Sequence, residues 1–143
     1  MDDIVLLNAA YSICDQNPLG SAAGYGSSFP IDRALTTKAL GFSALKVNAV
    51  AAQMGRGKTE RITANAMGSL AATLGRFSMD VCVYMSQNFD FISFPDHLTT
   101  GSSIMPHKKN PDIFELIRGK SALIQGLGNC LLYTSDAADD LGR

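Results

Sequence analysis

Charge is what this chain has least of. It carries 12 Lys and Arg against 13 Asp and Glu in 143 residues, 17% of the total, for a net charge of −1. With no basic excess to neutralise rows of phosphates, nucleic-acid binding is excluded as the main function, while a small anionic substrate stays open. The hydrophobic share is 46%, and so lean a charged surface points to area buried against partners. Cysteine is scarce as well. Cys14, Cys82 and Cys130 form no CxxC and no pairing pattern, which excludes a disulfide framework and a zinc site and favours a reducing compartment, the cytoplasm. No apolar run is long enough to span a bilayer, so no membrane partner is expected, and Met1-Asp2-Asp3 does not open a secretory signal. Internal repeats, low-complexity segments and strand alternation are missing too.

What is present reads as helix and loop. Ile4 to Cys14 is apolar nearly all round behind Asp2 and Asp3, which suit a helix start, and predicts a buried helix. Pro18 to Pro30 is punctuated by Gly20, Gly24 and Gly26, and predicts a long loop of the kind that carries function. An amphipathic stretch follows, with Leu35, Ala39, Leu45 and Val50 apolar and a break near Gly41. Between Thr59 and Gln87, the residues Ile62, Ala66, Leu70, Leu74, Phe77, Val81 and Tyr84 recur at spacings of four and three. A helix of that length spans roughly 40 Å at 1.5 Å per residue, and packing it into a multi-helix bundle is its natural use. A phenylalanine-rich segment, a loop and a final helix from Pro111 complete an all-α reading.

Three constellations are candidates for chemistry. Ala52-Gln-Met-Gly55-Arg-Gly57-Lys58-Thr59 nearly spells a phosphate-cradling P-loop, but its first glycine is missing and no strand precedes it. The better reading is a polar turn, with Thr59 capping the long helix and Glu60 in its first turn. The glycine-rich loop ends in Asp32-Arg33. On spacing alone it is a surface loop with Asp32 as a local cap or ion-pair partner; the functional alternative has Arg33 gripping a carboxylate. The third is Gly101-Ser102-Ser103-Ile104-Met105-Pro106-His107-Lys108-Lys109-Asn110-Pro111. Here hydroxyls and ammonium groups are bounded by glycine and proline just before a helix. Asn110 reads as its N-cap, Pro111 as its first residue, and Asp112 complements the dipole. Capping leaves Ser102 and Ser103 beside Lys108 and Lys109 unexplained. A serine acts as a general base only where cations and amides stabilise its alkoxide, and the same cations would stabilise a carboxylate gaining charge.

The run GSSIMPHKKNP resembles the signature loop of the fumarase/aspartase superfamily of lyases. NPLGSAAGYGSSFPIDR and NPDIFELIRGK are similar to the branch of that superfamily that splits argininosuccinate, and the likeness runs from about Asp2 to Asn129. The resemblance implies a homotetrameric long-helix bundle with active sites built from three subunits, an anionic small-molecule substrate, and no metal or organic cofactor. It implies Ser102 as the base, Lys108 and Asn110 holding the carboxylate and stabilising the intermediate, and Glu115 orienting a histidine. Arg33 and Ser103 would contact substrate. The reaction implied gives arginine and fumarate.

Departures go with the match. The superfamily's catalytic histidine lies in an upstream segment that has no counterpart here, and His97 and His107 do not match it; His107 reads as a loop side chain. Residues 130–143, beginning Cys130-Leu-Leu-Tyr-Thr-Ser-Asp, resemble translated sequencing-adapter read-through, so a native region 1–129 and a non-native tail are expected. The chain is then expected to be an internal piece of a longer protein, inactive alone, with apolar surface showing on its long helix. A sibling lyase acting on adenylosuccinate and a non-catalytic, crystallin-like protein on the same scaffold are the alternatives.

Overall fold

The computed structural model describes residues 1–101, 103–105 and 107–134. It is mostly helical, as the periodicity requires. In chain order the elements are α1 (Asp2–Cys14), β1 (Gln16–Asn17), α2 (Arg33–Leu40), β2 (Ala44–Leu45), α3 (Ala49–Met54), α4 (Lys58–Tyr84), a 3-10 turn (Asp96–Leu98) and α5 (Asp112–Thr134). Two compact units emerge: Met1–Ala66 with the chain from Gly128 onward, and Met67–Leu127.

In the first unit, α1 begins at the two aspartates, as their affinity for a helix N-terminus dictates. The expectation that it is buried is corrected. Ala10 is its one buried residue, while Ile4, Val5 and Tyr11 are exposed. A helix apolar all round needs cover on every side, and the described residues supply little of it. The strandless reading also needs amending, because β1 and β2 form a two-residue parallel pair, Gln16 opposite Ala44 and Asn17 opposite Leu45. Asn17 is fully buried and satisfied: its amide donates to the Thr36 and Thr37 hydroxyls at 3.2 and 2.9 Å, and its Oδ1 accepts from the Leu19 N–H. Asp32 caps α2 by accepting from the Leu35 N–H, and Gly41 ends it in the left-handed conformation with φ +77°.

The P-loop look-alike is a helix–turn–helix. Helix α3 precedes the turn where a strand would be needed, and Asn48 caps it. Thr59 does not cap α4. It lies inside the helix, its hydroxyl donating back to the Gly55 carbonyl at 3.0 Å, whereas Glu60 is in the first turn as expected.

In the second unit, the stripe of large residues on α4 is only partly the buried face. Ala71, Ser78 and Val81 are buried there, whereas Leu74 and Phe77 are 43% and 58% exposed. The close approach to α5 is made through small residues: a Cβ placed on Gly75 would lie 3.4 Å from that of Ser121. The large residues cluster at the end of α4 instead. Phe114 of α5 meets Phe77 edge-on and stacks on Phe94, and Phe91 packs between Tyr84 and Phe89. The chain therefore turns back beside α4 after Tyr84, with the Phe91 N–H donating to the Tyr84 carbonyl at 2.9 Å. Helix α5 runs through Cys130 to Thr134, so the chain stays helical across the 129/130 boundary; residues 135–143 lie outside the described residues.

Candidate active-site cleft

The signature loop is pinned at its neck. Thr100 and Asn110 face each other as a single antiparallel bridge, their amides donating to each other's carbonyls at 3.1 and 2.9 Å. The Thr100 hydroxyl also donates to the Asp112 carboxylate at the start of α5. This changes the expected cap. The first free carbonyl of α5 belongs to Pro111, which accepts from the Phe114 and Glu115 N–H groups. Pro111 therefore stands at the N-cap and Asp112 at the first helical position, while Asn110 is used by the bridge.

Above the neck, the loop and the turn after α4 enclose a cleft of about 610 Å³ lined by Cys82, Ser86, Asp90, His107, Lys108 and Asn110, with apolar walls from Met85, Ile92 and Phe94. Of the residues expected to do chemistry, the structure brings Lys108 and Asn110 to this cleft. Ser102 lies outside the described residues. Ser103 is exposed and does not line the cleft. Glu115 is exposed on the first turn of α5, off the cleft wall but near enough to Cys82 to act on its charge. Burial pushes the Cys82 thiol up, Arg118 opposes that, and Glu115 adds to it.

The two lysines are not equivalent. Lys109 pairs with Asp96, and the ammonium's hydrogen bond and charge hold the Asp96 carboxyl below the usual carboxylate range. Lys108 makes no side-chain bond among the described residues and is the cation left to a ligand. Sequence reasoning set His107 aside as a loop side chain, and the structure places it on the cleft wall. Asp90 and Cys82 were missed because nothing in their spacing marks them: they come to the cleft through the reversal after Tyr84. Among the described residues, no group of three or more His, Cys, Asp and Glu could hold a metal ion.

Arg33 belongs to the first unit, where its guanidinium is used structurally. It donates to the carbonyls of Leu19, Lys46 and Val47 at 2.8, 2.8 and 3.2 Å. Three of five N–H groups are thus committed to holding the glycine-rich loop against the segment after β2. The guanidinium is thus engaged within the surface loop that spacing alone predicts, while contact with a substrate carboxylate is what the resemblance implies.

The long helix α4 thus ends at a cleft walled by a cation-bearing loop that is pinned at its neck. The sequence pattern of the lyase family matches residues 3–126, and the chain belongs to that family. It is 59% identical over 136 residues to argininosuccinate lyase from Parabacteroides distasonis, covering 95% of this chain and 30% of that protein. It is 44% identical over 124 residues to argininosuccinate lyase from Xanthomonas campestris pv. campestris, covering 87% of this chain and 29% of that one. A crystal structure of EDDS lyase in complex with formate superimposes with a TM-score of 0.87 at 26% identity, over 95% of this chain and 27% of that one. The likeness bears out the all-α, fumarase/aspartase-like fold. The chain spans under a third of the length of these relatives.

Proposed function

We infer that the protein carrying this chain cleaves argininosuccinate to arginine and fumarate. The observation that carries this reading is the meeting of Lys108 and Asn110 on one cleft wall, fixed there by the Thr100–Asn110 bridge, in a chain so similar to named argininosuccinate lyases. Ser102 acts as the base. It takes the proton from the carbon beside a succinyl carboxylate while Lys108 and Asn110 hold that carboxylate and stabilise the extra charge it gains. The electron pair left on carbon then forms the double bond of fumarate as the carbon–nitrogen bond breaks. The departing nitrogen takes up a proton on the side that a Glu115-oriented histidine serves.

The protein works in the cytoplasm as a homotetramer, with neighbouring copies covering apolar faces such as Ile113, Leu116, Leu123 and Leu127 of α5, which are 50 to 61% exposed. No described helix is long and apolar enough to cross a membrane. The test is a product assay on the whole protein. Arginine with fumarate supports the reading; AMP with fumarate assigns it to the adenylosuccinate branch, and no turnover with any of these substrates points to a structural protein. Light scattering tests the assembly, and a monomer sinks the tetramer.

A further inference from the structure

The side chain of Asp90 has no partner among the described residues. Its backbone is left-handed, φ +48°, in the turn after α4 where its N–H donates to the Ser86 carbonyl at 2.8 Å. Glycine fills such positions without strain, and aspartate is among the few other residues that tolerate them. Its carboxylate makes no hydrogen bond or ion pair among the described residues, and Lys109, a cation on the same cleft, is already taken by Asp96. Asp90 nevertheless lines the cleft that holds Lys108 and Asn110.

For a ligand that is anionic all over, a free carboxylate in the wall is a penalty, because like charges in a cleft repel. The cost becomes a gain if the ligand has a cationic part. The two kinds of wall then sort the ligand end for end: ammonium and carboxamide from the loop take its carboxylate, and the carboxylate from the turn takes its cation. Guanidinium is the cation that best fits a carboxylate, through paired N–H donors.

We propose that Asp90 is a specificity-determining residue that receives the guanidinium-bearing half of the substrate, opposite the carboxylate held by Lys108 and Asn110. This rests on the argininosuccinate reading and adds to it the side of the cleft on which the arginine half lies. The test is calorimetric binding of arginine and of fumarate, separately, to the whole protein and to its Asp90→Asn and Asp90→Gly variants. Both replacements tolerate the left-handed backbone, and circular dichroism checks that the fold is kept. Both variants should lose about tenfold in arginine affinity, as expected for one charge-assisted contact, while fumarate affinity changes less than about twofold. Unchanged arginine binding, equal losses for both ligands, or no arginine binding by the unaltered protein would each overturn the inference. Binding requires no turnover. If arginine binding falls in the variants but the unaltered protein does not cleave argininosuccinate, Asp90 keeps its role and the proposed reaction fails.

Discussion

Two glycine-bounded loops in this chain are held in opposite ways. The loop between Pro18 and Pro30 is stapled from within its unit: Arg33 ties three carbonyls, and buried Asn17 ties both the loop's start and α2. The loop between Thr100 and Asn110 is tethered at the neck, with its described polar side chains exposed above it, except for Lys109 paired to Asp96. Stapling uses up side-chain donors to make a rigid wall. Tethering leaves Lys108 available to a ligand. The same composition of glycine, serine and a cation is thus bound up in structure in one place and, among the described residues, leaves the Lys108 side chain unpaired on a cleft in the other.

The contrast predicts that substitutions in the tethered loop change activity and those in the stapled loop change stability. The largest effect is expected from Ser102→Ala in the whole protein, a loss of about 10²- to 10⁴-fold in kcat with the denaturation midpoint unmoved. Unchanged turnover would remove serine from the base role. Next, Gly20→Ala should destabilise the chain by about 2 kcal/mol or more in urea denaturation. Its φ is +81°, and the new Cβ would lie 2.8 Å from the Arg33 Cγ. Arg33→Ala should cost about 2 kcal/mol by leaving three carbonyls without donors. A specific loss of substrate affinity at unchanged stability would instead return Arg33 to the substrate.

Ser78→Ala should be neutral or stabilising by up to about 1 kcal/mol, because its fully buried hydroxyl has no partner among the described residues. The smallest effect is the pH dependence of the Lys109–Asp96 pair. The folded Asp96 carboxyl sits below its unfolded value, so its contribution is complete above the ordinary carboxylate range and fades as pH falls through the folded value. Protection of the signature-loop amides, measured against the intrinsic exchange rate at each pH, should therefore fall only in acid, and Asp96→Asn should abolish that dependence.

The long helix, the two loops and the cationic character of the signature run were legible because they depend on local rules: periodicity, glycine and proline placement, and charge next to a helix start. Lys108 and Asn110, which line the cleft, belong to that run. Asp90, Cys82 and the cleft role of His107 were not, since they depend on where the chain travels after Tyr84, and the aromatic contacts that set that path join residues distant in sequence. The structural partners of Arg33 were hidden for the same reason, because they are main-chain carbonyls, which every residue possesses and no sequence can advertise. The apolar surface expected on α4 is there, at Leu74 and Phe77. What hydrophobic periodicity did not show is the close approach of Gly75 to Ser121, because it weights large side chains.

The seat of Arg33 against Gly20 also has an evolutionary consequence. A side chain at position 20 is opposed twice, by the left-handed backbone and by the arginine stem in that space, and a shorter residue at position 33 would relieve only the second while abandoning the carbonyls it serves. The two sites are therefore epistatic in part: a change at position 20 costs less once position 33 has moved, but the backbone still favours glycine there.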